Sequence, residues 1–358
     1  MSIEPLTLTA GAGSARRASG YWSVLQAAAL LAAVALVALL FLRPTLGLTM
    51  LWNVLIPVAP VLIVIAPGLW RNVCPMATVS LPPRELGRWR RRIITARGAG
   101  FLYLTSAGML CVIVMLRHAC FDTEGPYSAA ILLGASAIAF AMGLRYEGRS
   151  GWCTSLCPIH SVEKLYGRAP AVTITNARCA TCRRCTVPCP DSTPDMEATR
   201  SRSRLGQGVG TVMTGGFAGF IWGWFQVADV SGRLTLAELG RCFAWPLAGA
   251  AVSLSAYFIL RRGIARSERA RRTLDDVFAT AAVSTYYWFR LPVLLGFGEF
   301  HDTALYDLSG ALPVWTPLAL HALSIAFFGW FLLIRPAQSR PWMFRPPTAT
   351  LESLATSR

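Results

Sequence analysis

Lysine is almost absent: of the 34 basic residues only Lys164 is not arginine, and just 18 acidic residues oppose them. Charged residues make up 15% of the 358, too few to cover a soluble protein of this size, which excludes an ordinary soluble globular class. Histidine is equally sparse, at four. The chain also lacks an internal repeat and a pair of interrupted apolar segments, the framework of a transporter's substrate site. A net charge of +16 suits a nucleic-acid binder in principle. The arginines, however, stand in short clusters at the ends of apolar segments, where they set orientation and meet lipid headgroups, so no nucleic acid is expected as a partner.

What is present in abundance is apolar sequence: 54% of residues are hydrophobic and the mean hydropathy is +0.47. After a polar tail, 1–20, containing Arg16 and Arg17, a run at 21–42 is long enough to cross a bilayer, and too long for a cleaved signal. A second span is expected at 47–70, with Pro57, Pro60 and Pro67 placed to kink or break it. Further spans are expected at 99–116, 127–144, 209–230, 242–260, 277–297 and 313–334, about eight in all. The loops provide a separate check. Arg71, Arg84, Arg88, Arg90, Arg91, Arg92 and Arg97 after the second span, and Arg261, Arg262, Arg266, Arg269, Arg271 and Arg272 after the sixth, belong inside. Asp122 and Glu124 after the third, and Glu299, Asp302 and Asp307 after the seventh, belong outside. Both termini and the polar segment 145–207 are then cytoplasmic.

That segment carries the chemistry. Cys179, Cys182, Cys185 and Cys189, followed by Pro190, are spaced by two, two and three residues. This is the run by which bacterial ferredoxins hold [4Fe-4S] clusters. A zinc site is the competing reading, but zinc ribbons separate two C-x2-C pairs by a longer loop. Cys153 and Cys157 form C-x3-C followed by Pro158, and Cys74 precedes Pro75 just after the second span. Cysteines packed into ligand runs point to a reducing compartment. Cys111 and Cys242 lie in apolar spans, where a free thiol packs as a small hydrophobe. Cys120 falls in an outer loop, away from the others.

The motifs G-W-C153-T-S-L-C157-P-I-H-S-V-E-K-L-Y-G and R-N-V-C74-P-M-A-T-V-S-L, each after a membrane span and followed by a ferredoxin run, resemble the membrane-bound polyferredoxins of the NapH, NosR and CcoG type. The resemblance covers about residues 47–200. It implies an all-α polytopic membrane bundle in the bacterial inner membrane, a small cytoplasmic ferredoxin-like iron-sulfur insert at 145–207, spans flanking it at 21–144 and 208–334, and a cytoplasmic tail at 335–358. It further implies two [4Fe-4S] clusters and a role in electron transfer, as a carrier or a membrane oxidoreductase component. Copper reduction during oxidase assembly, and redox-sensing regulation or assembly, are the alternatives. Following the ferredoxin pattern, Cys179, Cys182 and Cys185 group with Cys157, and Cys189 with Cys74 and Cys153. One departure matters: Trp70 stands where the family carries a fourth cysteine before Cys74, leaving seven thiolates where two cubanes need about eight ligands. His160 and Asp191 are near enough in sequence to supply the last, and His160 is also placed to act as a hydrogen-bonding neighbour.

The expected outer side gathers His118, His301 and His321, with Arg290 inside the seventh span, where an arginine is a functional candidate by default. These four suit a haem, a quinone or a metal; helix capping and headgroup contact are the competing roles. The partners expected are the lipid bilayer, a soluble electron donor such as a ferredoxin or flavodoxin docked on the basic inner loops, and a membrane or outer-side acceptor. If arginine asymmetry sets orientation, reporter fusions at Glu124 and Asp302 read as outside and those at Gly87 and Ser267 as inside. An outside signal at Ser267 contradicts the eight-span arrangement.

Overall fold

The computed structural model describes residues 12–82, 92, 94–146, 151–180, 197–201, 203–230, 234–298, 304–335 and 341–344, and is mostly helical. Apolar runs in a lipid solvent must satisfy their backbone groups internally, and helices do so within one segment. Among the described residues, six helical stretches are long and apolar enough to cross a membrane: Gly20–Leu42, Pro44–Ile65, Ala96–Phe121, Gly125–Arg145, Leu236–Gly263 and Thr316–Ile334. The chain is thus a multi-pass membrane protein. Leu31, Leu42, Val252, Ile259, Leu318 and Leu323 point outward from these helices, an apolar surface that lipid tails cover.

The regular elements are α1 (Ala12–Leu42), α2 (Pro44–Leu48), α3 (Ile56–Ile65), α4 (Pro67–Val73), α5 (Pro75–Val79), α6 (Ala96–Leu116), α7 (Gly125–Arg145), α8 (Pro158–Tyr166), α9 (Arg204–Trp224), α10 (Leu236–Gly263), α11 (Glu268–Leu294) and α12 (Thr316–Gly329). Wide π turns occupy Thr49–Leu55, Arg117–Phe121, Trp152–Leu156 and Trp330–Ile334. The expected break in the second span occurs at Ala66, whose φ of −149° and ψ of 69° leave the helix ahead of Pro67. The proline ring disfavours helical backbone at the residue before it, although Ile56 before Pro57 stays helical at φ −65° and ψ −43°.

Two stretches expected to span, 209–230 and 277–297, form α9 and α11, which are not among the six. Alpha9 is rich in glycine and largely buried, while α11 opens on a charged turn and carries Asp275, Asp276 and Arg290. Both lie in the middle of the bundle, and their residues Val209, Met213, Phe217, Phe220, Ala282, Val283 and Tyr287 form much of the main core. Alpha9 meets α10 at Gly219 and Gly249, where a Cβ on either would sit 2.0–2.1 Å from the other's carbonyl oxygen.

The described part of 145–207 packs against the helices around it. Val162, Leu165 and Tyr166 of α8 belong to the same core as the spans, and His160 through Tyr166 are all buried. The segment obtains from neighbouring helices the apolar cover that it cannot supply itself. The chain's C-terminal part returns to it: Ile174–Thr175 (β1) pairs in parallel with Met343–Phe344 (β2). Trp342 is fully buried and donates from Nε1 to the Gly167 carbonyl at 2.6 Å.

The glycine crossing yields a stability expectation. Gly249→Val forces α9 and α10 apart and lowers the thermal unfolding midpoint by the equivalent of about 1–3 kcal/mol or more. Gly240→Val, where a Cβ meets nothing within 4 Å, leaves the midpoint nearly unchanged. Equal effects at the two positions contradict the packing.

Candidate functional site

Cys74 and Cys157 have matching local structure because each precedes a proline. Their backbones are extended, at φ −55°, ψ 123° and φ −59°, ψ 126°, and each is the residue from which a helix starts, α5 and α8 respectively. Cys153 lies four residues earlier, in the π turn Trp152–Leu156. All three thiols join one apolar cluster with Trp152, Leu156, Ala77 and Ala139, flanked by Met76, Leu102 and Met109. The Ser106 hydroxyl of α6 donates to the Cys157 carbonyl at 2.7 Å, so the group is sunk between the helices.

Beside it lies a buried charge network. Arg71 donates from Nε to Glu163 Oε1 at 3.1 Å and from Nη2 to Glu163 Oε2 at 2.6 Å, and Nη2 also reaches the Cys153 carbonyl at 3.0 Å. Trp342 stacks against the guanidinium, 4.5 Å from ring centroid to Cζ. His160 Nδ1 is 3.2 Å from both Arg71 Nη2 and Glu163 Oε2. Both hydrogens on Nη2 are taken by Glu163 and Cys153, and Arg71 accepts nothing, so Nδ1–H donates to Glu163. His160 thus keeps its lone pair on Nε2.

Electrostatics follow from this burial. Burial pushes the Cys157 thiol well above its ordinary value, and Cys153, Cys74 and Glu163 add to the shift against an opposing backbone hydrogen bond at Ile159. Burial also opposes ionisation of Glu163, but Arg71 and His160 outweigh it and hold the carboxyl at about 2. His160 is lowered to about 4, first by burial and then by Lys164 and Arg71, against the pull of Glu163.

The cysteine run is anchored to the same place. Asn72, fully buried two residues before Cys74, donates from Nδ2 to the Thr175 carbonyl at 2.9 Å and accepts at Oδ1 from Ala177 N at 3.2 Å. Arg178 donates from Nη2 to Thr78 Oγ1 at 2.6 Å and to the Asn72 carbonyl at 3.2 Å. Cys179 N in turn donates to the Asn176 carbonyl at 3.3 Å. These bonds bring the start of the run, Cys179, to the α4–α5 junction at Cys74. Cys182, Cys185, Cys189 and Asp191 lie outside the described residues.

Among the described residues no three His, Cys, Asp or Glu side chains converge closely enough to hold a single metal ion. The donor set nevertheless fits a thiolate-ligated cluster. A thiol whose ionisation is opposed by burial and by neighbouring cysteines, as at Cys157, requires a cation to become a thiolate, and soft thiolates select iron-sulfur or similarly soft metals. A cubane also spreads its ligands wider than one ion does.

At the other end of α6 lies a second polar group, with His118, Arg117, Arg290 and Asn53 buried and Asp229 at its exposed edge. His118 Nδ1 lies 2.5 Å from Asp229 Oδ1 and its Nε2 3.1 Å from the Trp224 carbonyl, with the Trp224 ring stacked at 4.5 Å. Each ring nitrogen therefore faces an acceptor. Arg117 pairs with Asp122 at 2.6 Å and lies over Trp52 and Trp224, while Arg290 donates to Asn53 Oδ1 and to the Trp52 carbonyl. Trp224 Nε1, Tyr286 Oη and Arg290 Nε are buried with no hydrogen-bond partner among the described residues. His321 stacks on Trp288 at 3.7 Å, and His301 lies outside the described residues. Cys120 bonds the Leu116 carbonyl at 3.5 Å, while Cys111 packs against the core.

Arg71, Asn72, Glu163, Arg178, Asp229 and Trp342 were not among the residues that motif reading selected. Their partners lie far away in sequence; Trp342 had no local signal, and for the others the only one was that charged or amide groups stood beside cysteine motifs or span ends. No family model, no curated protein and no solved structure matches the chain.

The lowered His160 value fixes a pH dependence. Between its ordinary 6.5 and about 4, the unfolded chain takes up a proton that the folded chain refuses, so stability is full above this window and falls as pH drops through it. The loss between pH 8 and pH 5 is about 2 kcal/mol, read as a falling thermal midpoint. His160→Asn removes that slope; an unchanged slope in the variant contradicts the assignment. Glu163 adds a further loss only below 4.5, as pH falls towards about 2.

Proposed function

We propose that this protein is an integral-membrane electron-transfer protein with two iron-sulfur clusters of the [4Fe-4S] type, held by Cys74, Cys153, Cys157, Cys179, Cys182, Cys185 and Cys189. The observation that carries the reading is the convergence of Cys74, Cys153 and Cys157 in one apolar cluster, with Cys179 tied to the Cys74 junction through Asn72. The motif resemblance to membrane polyferredoxins supports it, and so does the cysteine spacing. When bound, such clusters supply one-electron transfer. The chain's own residues exclude water around the thiols, place Arg71 as a fixed positive charge at Cys153, and orient His160 through Glu163. With its lone pair on Nε2 and its Nδ1–H on a carboxylate, His160 has the form of a ligating histidine and is the candidate for the position left open by Trp70.

The side bearing the cysteines is cytoplasmic in this reading, with both termini on it, in a bacterial inner membrane. Electrons enter from a soluble donor or the quinone pool. Ser106, which holds Cys157, and His118 are twelve residues apart along one helix, about 18 Å of rise. The buried group at His118 and Arg290 is the candidate way station. Its unpaired donors at Trp224, Tyr286 and Arg290 suit a ligand bearing acceptor oxygens, which favours a quinone over haem or a metal, because both nitrogens of His118 are already faced by acceptors. Copper reduction or redox sensing would use the same thiols with a different acceptor.

Anaerobically purified protein is expected to contain close to two clusters' worth of iron, with broad visible absorption. Cys153→Ser loses one cluster and Cys111→Ser loses none. Stoichiometric zinc without iron contradicts the function. Arg290→Gln is expected to leave iron content intact and slow reoxidation of the reduced protein by a soluble quinone analogue at least tenfold; reoxidation at the wild-type rate removes the outer group from the path.

A further inference from the structure

The inner end of α10 carries a feature that the electron-transfer reading does not use. Phe258, Arg261, Arg262, Ala265, Arg266 and Arg271 line a cavity of about 490 Å³ where the membrane-spanning stretch Leu236–Gly263 ends and the chain turns into α11. Four guanidiniums around one cavity repel one another unless an anion lies between them. None of the four is in a salt bridge among the described residues. Arg261 donates to the Tyr257 hydroxyl at 3.1 Å and Arg271 to the Ala265 carbonyl at 3.2 Å, both neutral acceptors. The nearest carboxylate in sequence, Glu268, is engaged by Arg200 and Arg272.

The surroundings select among anions. Phe258, Ile259 and Ile264 are exposed next to the arginines, with Ile259 at 70% and Ile264 at 73%. A soluble anion needs no such apolar border, whereas a phospholipid presents its phosphate and its acyl chains together at this depth. Basic pockets at the ends of membrane helices on the inner side match the phosphates of anionic lipids, and guanidiniums take phosphate oxygens two at a time.

We propose that this cavity is a phosphate-binding site occupied by the headgroup of an anionic phospholipid, with Arg262 and Arg266 as its exposed clamps and Phe258 and Ile264 against the first acyl carbons. The site stands on the membrane placement of α10 and is independent of the cluster chemistry. The rival occupant for so basic a surface is an acidic soluble electron carrier.

The test uses the full-length protein in a neutral detergent, with thermal unfolding followed as dioleoylphosphatidylglycerol, dioleoylphosphatidylcholine or inorganic phosphate is added. Phosphatidylglycerol is expected to raise the midpoint and phosphatidylcholine to leave it unchanged. In the Arg262→Gln/Arg266→Gln variant, half of the phosphatidylglycerol effect requires about thirtyfold more lipid, taking about 1 kcal/mol per arginine at a membrane surface. The variant's midpoint without lipid, expected to match wild type because both side chains are exposed, guards against misfolding. Equal responses to the two lipids, or an undiminished response in the variant, overturn the proposal. A shift with inorganic phosphate as large as with phosphatidylglycerol overturns the lipid as source. Loss of binding to an acidic ferredoxin in the variant, with the lipid response intact, overturns it in favour of protein docking.

Discussion

The buried ion pair between Arg71 and Glu163 is the interaction on which the cysteine end of the molecule depends. Both side chains are 3–4% exposed, and removing one partner from such a pair costs roughly 3–5 kcal/mol because the other is left as an uncompensated charge. The pair stays buried because further hydrogen bonds and a stacked ring compensate it. Glu163 accepts from Arg71 and His160, Arg71 donates to the Cys153 carbonyl, and Trp342 covers the guanidinium face. Alpha4, α8, the π turn at Cys153 and the returning strand β2 thus share one electrostatic centre.

A second constraint is the depth of the two polar groups. Lipid tolerates buried charge only inside the bundle, and the chain meets that condition with the glycine-rich α9 and the charged α11 at the centre and the more apolar helices outside them. Three of the four described π turns carry residues of these groups: Cys153, His118, and the Trp52 and Asn53 that bind Arg290. A π turn widens the helix by one residue and re-aims the side chains on it, as is common at functional sites. The result is two polar layers joined by α6, closer together than the full thickness of a bilayer.

Much of this was legible in the sequence because it rested on local rules. The span at 47–70 breaks at Pro67, where proline's bias against helical backbone before it prevails as it does not at Pro57, and Cys74 and Cys157 adopt one conformation because each precedes a proline. The placement of six membrane-crossing helices followed from apolar length alone. Hydropathy could not separate α9 from a lipid-facing span, because glycine next to a partner helix reads like glycine facing lipid. Nor did it show that α8 would be buried: Glu163 and Lys164 look like surface residues until Arg71 and the Tyr103 ring, 4.6 Å from the Lys164 ammonium, are beside them. Pairings of this kind span 92 residues for Arg71 and Glu163 and 175 for Trp342 and Gly167, beyond any local pattern. The Trp342 strap was invisible for the same reason, in a tail that reads as polar and proline-rich.

The central claim is that these thiols are cluster ligands, and Mössbauer spectroscopy of protein isolated anaerobically from cells grown on iron-57 tests it most directly. The account predicts that nearly all of the iron appears as the averaged-valence doublet of oxidised [4Fe-4S] cubanes, in an amount close to two clusters per chain. Iron that is absent, or present only as isolated ions in oxygen and nitrogen coordination, contradicts it.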